Sequence, residues 1–230
     1  MRRFVFATFN RGKVREVAGI LHGLDLEILS PGDLGIAALP EETGDTFLDN
    51  AVLKAAGVFA TTGLPTFADD SGLEVAALHG APGVRSARYA GGDGHDDAAN
   101  IRKLLSTLQG VEDRRARFVC HVACLLPASD LPHDHPDRLP GSVRLLRDHP
   151  LAPPGTVLLA AEGEVAGRII DTPRGHDGFG YDPVFWRDDV HKTFAELAAD
   201  EKNGFSHRGN AFRALRAALL ALRAPAGEGA

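Results

Sequence analysis

The order of elements along this chain predicts an α/β fold with a mixed sheet. Short β-rich runs alternate with stretches of helical spacing and are not segregated from them. Hydrophobic residues make up 44% of the chain and charged residues 24%, the balance of an ordinary globular protein. At 230 residues the chain suits one domain, or one domain of two lobes, with a sizeable core.

Taken in order, Arg3 to Ala7 reads as a strand. Gly12 to Gly23 follows with helical spacing through Val14, Val17, Ala18 and Leu21. Leu26 to Leu29 is a second strand, closed by Ser30, Pro31 and Gly32. Thr46 to Thr61 is a helix whose apolar face includes Phe47, Ala51, Leu53, Ala55 and Val58. Thr66 to Ala68 is a short strand feeding an acidic turn. Asp96 to Leu108 is a helix with acidic residues where they suit the dipole. Arg117 to Leu126 and Thr156 to Glu162 are strands, and Glu164 to Ile170 extends the sheet. A strongly apolar helix, Ala211 to Leu222, closes the fold.

Pro127 to Pro154 carries seven prolines, a density that neither a helix nor a ladder tolerates. It reads as a surface excursion in which Val143 to Leu146 are too few apolar residues to make a domain. His133 and His135 within it suit solvent or a metal. The chain therefore reads as one domain, residues 1–223, with a Pro-rich insertion at about 127–154. A disordered tail, 224–230, follows.

The net charge of −6 gives no reason to expect nucleic acid or a membrane surface as partner. Any positive charge that holds an anionic ligand must then be local. Cys120 and Cys124 lie in an apolar run and read as buried thiols in a reducing compartment. No stretch reaches the roughly 18 apolar residues of a membrane span. The start, Met1 to Phe6, lacks the apolar region of a signal peptide. A cytoplasmic protein is expected.

Five segments carry chemistry. In Pro65 to Gly72 an apolar run ends in Asp69, Asp70, Ser71 and Gly72. Neighbouring carboxylates at the lip of a core need a cation or a shared proton, and Mg²⁺ is the hard cation such a site suits. The same four residues also suit a turn bonded only to its own backbone. Glu41 and Glu42, before Thr43 and Gly44, serve either as first-turn charge or as further oxygen ligands.

Thr8, Phe9, Asn10, Arg11, Gly12 and Lys13 join the first strand to the first helix. Backbone N–H groups at a helix start, with Lys13 nearby, form a phosphate cradle without the P-loop spacing. An ordinary helix start with Asn10 as cap and Lys13 in solvent fits the same residues. Gly175 to Pro183 is a Gly-rich loop in which Phe179 and Tyr181 alternate with glycine, suited to stacking on a nucleobase. Asp182, before Pro183, is pressed toward extended backbone, which sets where its carboxylate points. Lys202 to Gly209 places Ser206 as a helix cap, with His207 and Arg208 where the dipole penalises positive charge. Lys202 and Arg208 there suit a clamp on ligand oxygens. Together these features suit a nucleoside triphosphate with Mg²⁺.

The blocks Thr8 to Lys13, Glu41 to Gly44, Ala68 to Gly72, Gly80 to Gly91, Gly178 to Pro183 and Ser206 to Gly209 resemble one family. It is the inosine/xanthosine triphosphate pyrophosphatases, and the blocks occur in the family's order from the first strand to the last helix. The resemblance implies an elongated mixed sheet flanked by helices, in two lobes with the site in the cleft between them, commonly as a homodimer. It implies Mg²⁺-dependent hydrolysis of ITP, dITP and XTP to the monophosphate and pyrophosphate. By position, Thr8 to Lys13 would hold phosphates, and Glu41 and Asp70 would ligate the metal. Asp70 would also take the proton of the attacking water, with Ser71 near the substrate. Phe179, Gly180, Tyr181 and Asp182 would embrace base and sugar, and Lys202, His207 and Arg208 would read the base oxygens.

Two departures stand out. Phe9 occupies a position where a small residue, often glycine, is common in the family, and would be strained if φ there were positive. The Pro-rich excursion is longer than the family leads one to expect. The competing readings are a pyrophosphatase of the septum-associated type, acting on other modified nucleotides, and a nucleotide sensor without turnover.

Overall fold

The computed structural model of the chain describes residues 2–91, 96–131 and 139–223. His133, His135 and the tail 224–230 lie outside the described residues. The chain divides into two compact units. One comprises Met1–Asp70, His121–Gly163 and Arg208–Ala230; the other comprises Ser71–Cys120 and Glu164–His207.

In the first unit, β1 (Arg2–Phe6) pairs in parallel with β2 (Leu26–Leu29) and with the start of β3 (Thr66–Val75). Parallel neighbours need a crossover, and α1 (Arg11–Ile20) and α2 (Phe47–Thr62) supply the two. Asn10 caps α1 by accepting from the N–H groups of Gly12 and Lys13. Thr46 caps α2 in the same way through the N–H of Asp49, and Gly63 ends it in the left-handed region. The α2 residues Ala51, Val52, Ala55 and Val58 form one core with Val5, Ala68, Ala123, Leu125 and Leu158. Phe4, Phe6, Phe67 and Phe212 form a chain of ring contacts, with centroids 5.0–6.1 Å apart.

The second unit holds α3 (Asp97–Thr107), β7 (Phe185–Arg187), β8 (Lys192–Thr193) and α4 (Ala199–Phe205). Its core gathers Leu73, Leu104, Phe118, Ile169, Tyr181, Phe185 and Phe194. The Phe118 and Phe185 rings lie 4.5 Å apart, and those of Phe185 and Phe194 4.9 Å apart. Four elements contribute to both units: β3, β4 (Arg115–Pro127), β6 (Thr156–Ile169) and α5 (His207–Arg223). Among the described residues the strand order is β2-β1-β3-β4-β6-β7-β8, with β5 (Val143–Leu146) on β6. The sheet is mixed, as expected, because β5 and β7 each run antiparallel to β6.

Four expectations are corrected. Asp69 to Gly72 is not a turn but the middle of β3, and β3 continues to Val75. Strand propensity is low there, yet cationic and amide partners satisfy the carboxylates, so tertiary context overrides it. Val143 to Leu146, inside the Pro-rich excursion, forms an edge strand whose partners on β6 run from Ala161 to Leu158. The residues 156–169 form a single strand of 14 residues, with no break at Gly163. The last helix is not confined to its apolar run, Ala211 to Leu222, but begins at His207, directly after Ser206, the position read as its cap. The short elements α4, β7 and β8 are too brief to display a period.

Cys120 and Cys124 are buried thiols on β4, as expected, and burial pushes the Cys124 thiol up to about 12. No helix among the described residues is long and apolar enough to cross a membrane.

Candidate active site

The centre of the first unit's polar site is the Asp69-Asp70 pair on β3. Successive strand residues point to opposite faces, so the two carboxylates meet different surroundings. Asp69 is buried, with its side chain 1% exposed. Lys13 Nζ donates to both of its oxygens, at 3.0 and 2.9 Å, and Arg208 Nε donates to Oδ2 at 3.0 Å. Burial alone would raise its carboxyl; the Lys13 ammonium and Arg208 guanidinium outweigh that and hold it well below the usual carboxylate range. Asp69 is therefore a fixed anion that positions two cations. The Arg208 guanidinium also lies 3.7 Å from Glu16.

Asp70 faces another set. Asn50 Nδ2 donates to Oδ2 at 3.2 Å, and Lys54 Nζ lies 3.6 Å from Oδ1. Lys54 also donates to Glu42 at 2.5 Å. Burial pushes the Asp70 carboxyl up to about 6; Lys54 opposes this and Glu42 adds to it. Lys54 itself is raised: burial disfavours its charge, but Asp70, Asp69 and Glu42 more than restore it, so it stays an ammonium. Two neighbouring carboxylates thus have properties pushed apart by their surroundings, one a permanent anion and one able to exchange a proton near neutrality.

The loop before α1 differs from a bare cradle. Asn10 Oδ1 already takes the N–H groups of Gly12 and Lys13, and Thr8 Oγ1 accepts from Asn10 N at 3.2 Å. These amides are thus already satisfied, and Lys13 is the cation it turns toward Asp69. Arg11 is exposed. Phe9 is 48% exposed and has no positive φ, that region being confined among described non-glycine residues to Asp25, His79 and His191. Phe9 is not strained.

Glu41 is exposed, and the carboxylate coupled to Lys54 and Asp70 is its neighbour Glu42. Among the described residues no group of three or more His, Cys, Asp or Glu side chains converges as a metal site. Ser71 follows on β3 and is half-buried.

In the second unit the Gly-rich loop is latched at several points. Asp182 is buried; its Oδ2 accepts from Phe179 N at 2.9 Å and from Lys202 Nζ at 2.5 Å. Gly180 N donates to Asp97 at the start of α3, at 2.7 Å. Gly178 has φ +82°, and a Cβ there would fall 2.1 Å from Asp182 Oδ2, so no other residue permits the latch. Tyr181 is buried, and its hydroxyl donates to the Ser86 carbonyl at 2.9 Å. It anchors the loop and does not present a face to a ligand. Phe179 is the ring left outward, 60% exposed, with Lys202 Nζ 4.9 Å from its centroid. His207 is buried, stacked on Phe118 at 5.0 Å.

The first unit thus brings Lys13, Asp70 and Arg208 around one stretch of strand, and the second brings Phe179 to Asp182 together with Lys202. Asn50 and Lys54 escaped the sequence reading, as did the pairing of Glu42 with Lys54 and the clamping role of Asp69. The signal for two of them was present: Asn50 and Lys54 are four apart on the apolar face of α2, where an unpaired charge is costly.

The Ham1 family model matches residues 4–218. The chain belongs to the Ham1 family. A protein of Halorhodospira halophila named dITP/XTP pyrophosphatase is 46% identical over 215 residues, spanning 93% of this chain and 94% of its own. One from Shigella flexneri with the same name is 43% identical over 221 residues, 95% and 98% of the two chains. Among solved structures, a HAM1 protein from Coxiella burnetii matches this Ham1-family chain with a TM-score of 0.77 at 36% identity. That match covers 96% of this chain and 99% of the other. The Staphylococcus aureus Ham1 protein matches with 0.76 at 36%, covering 95% and 98%.

Proposed function

We propose that this chain is a Mg²⁺-dependent pyrophosphohydrolase that cleaves ITP, dITP and XTP to the monophosphate and pyrophosphate. One observation carries the reading. Adjacent carboxylates on one strand are divided between a clamp on two cations, Lys13 and Arg208, and a proton-exchanging group beside Lys54. The family, and relatives named dITP/XTP pyrophosphatase, support it.

In this reading Asp70 accepts a proton from the attacking water, and the Asn50 amide fixes the orientation of its carboxylate. Lys13, Lys54 and Arg208 supply positive charge where negative charge grows on the transferred phosphorus. Asp69 keeps two of those cations in place before substrate arrives, so little reorganisation is needed at the moment of reaction. Mg²⁺ needs only one or two protein carboxylates, water and substrate phosphate completing its shell, so Asp70, with Glu41 as the second carboxylate, would hold it in this reading. When bound, the ion would neutralise phosphate charge and polarise water.

The exposed Phe179 ring stacks on the purine, while Lys202 and His207 address its oxygens. In this reading Arg208, engaged with Asp69 and Glu16, serves with the phosphate-side cations as well as with the base. A site that donates to a 6-oxo group leaves donors unpaired against the 6-amino group of adenine, which accounts for rejection of ATP.

Pyrophosphate release from ITP, dITP, XTP, ATP, GTP and dTTP, with and without Mg²⁺, tests the proposal. Metal-dependent release from the first three alone is expected. Release from dTTP, or from none, would overturn the substrate assignment; release without Mg²⁺ would overturn the metal.

A further inference from the structure

Away from these residues, the second unit contains a cavity of about 480 Å³ lined by Arg114, Arg168, Asp171, Thr172, Arg174 and Trp186, together with Ile169 and Ile170. Cavities of this size accept small phosphorylated molecules. Three guanidinium groups line it, and two of them lie over the one indole: Arg168 is 5.6 Å and Arg174 5.3 Å from the Trp186 ring. The acidic groups nearby do not saturate them. Asp171, 82% exposed, takes Arg114 Nη2 at 2.6 Å, and Arg114 Nε donates to the Val111 carbonyl at 3.0 Å. Asp188, also exposed, takes Arg168 Nε and the Trp186 N–H, each at 2.9 Å. Glu196 feels the charge of Arg174, but its carboxylate accepts from Thr193 N at 2.8 Å.

Two donors are left over. Arg114 Nη1 is buried and has no hydrogen-bond partner, a costly state for a charged donor. The Arg174 guanidinium makes no ion pair or hydrogen bond among the described residues, and its position over the indole gives it a defined orientation. Planar guanidinium forks match the oxygens of a phosphoryl group in pairs, which a lone ammonium does not. We propose that this cavity is a second anion site, specific for a phosphoryl or pyrophosphoryl group, with Arg114 and Arg174 as its donors. Arg174 is also where the Gly-rich loop begins: its N–H donates to the Pro183 carbonyl at 2.8 Å, closing the base of the segment that carries Phe179.

Trp186 is the only tryptophan of the chain and lines the cavity, so its emission reports occupancy directly. The full chain is titrated with inorganic phosphate and pyrophosphate, with AMP, and with citrate as a carboxylate control. A saturable emission change is expected with pyrophosphate and not with citrate, and it should persist in Lys13→Ala, whose phosphate-side cation is gone. Arg174→Ala should weaken it roughly tenfold or more, the cost of a lost charge-assisted hydrogen bond; so should Arg114→Gln. Should Arg114→Gln fail to fold, the exposed Arg174 carries the test alone. Tighter binding of AMP than of inorganic phosphate would assign the group to a nucleotide, and the reverse to the free anion. No saturable change up to about 10 mM overturns the proposal, since that is weaker than a built site. So does an equal response to citrate, or a signal lost in Lys13→Ala and kept in Arg174→Ala.

Discussion

In the first unit Asp69, Asp70, Lys54 and Arg208 are largely buried and each faces an opposite charge, whereas in the second unit the loop 175–183 is held mostly by backbone and packing. An ion pair of the loop, Lys202 with Asp182, lies among hydrogen bonds from Phe179 N, Gly180 N and the Tyr181 hydroxyl. The difference has a physical consequence. Removing the shared anion of a buried charge network strands its cations in a poor solvent, so the first unit is intolerant of neutralisation at Asp69, which holds both Lys13 and Arg208. A loop anchored at several modest points loses only one of them at a time. The first unit concentrates buried, paired charge, and the second leaves one ring, Phe179, outward on a latched loop.

Asp69→Asn attacks that contrast hardest. It leaves Lys13 and Arg208 without their shared anion, and a loss of about 3–5 kcal/mol of stability at neutral pH is expected. The pH dependence has a definite sign. The folded-state carboxyl lies below its ordinary value of 3.8, so its contribution is present above that pH and lost as pH falls through the folded value. Urea midpoints of parent and variant should stay apart from pH 7 to about 4 and converge below. A gap that does not narrow in acid would show that charge is not what Asp69 contributes.

Asp70→Asn separates chemistry from stability. Turnover should drop by at least ~10²-fold, the low end for loss of a general base. Asp70 titrates at about 6 in the fold against 3.8 unfolded, so its neutral form is favoured, and that advantage fades as pH rises through about 6. The variant, permanently neutral, should therefore be no less stable than the parent at pH 7. The two neighbouring residues are expected to show opposite pH trends in stability. Turnover close to that of the parent would remove Asp70 from the catalytic role.

Phe179→Ala probes the second unit and should have the smallest effect. Loss of one base–aromatic stack is worth about 1–3 kcal/mol, seen as a higher KM with kcat nearly unchanged. Fold stability should hardly move, because the ring is outward. A fall in kcat with unchanged KM would place Phe179 in the chemistry and erase the division of labour between the units.

Much of this was legible in the residues themselves. The alternation of strand and helix, the cap residue Asn10, and the blocks around Asp70 and Gly178 follow from local rules of period, capping and turn chemistry. Other features depended on partners distant in sequence. That Asp69 to Gly72 is strand and not turn depends on Lys13, Asn50, Lys54 and Arg208, which lie 16 to 139 residues away. Adjacency in sequence announced two carboxylates; only the fold set them apart, because their states depend on burial and on which charges the neighbouring elements bring. Glu42 in place of Glu41 beside Lys54, and Tyr181 as anchor in place of ligand face, were decided in the same way. Sequence alone determined which groups this protein has available and where most of its longer elements lie. Tertiary structure decided which of them meet, since the energies that fix a charge or a ring fall off within a few ångströms and local sequence carries no record of who lies across the sheet.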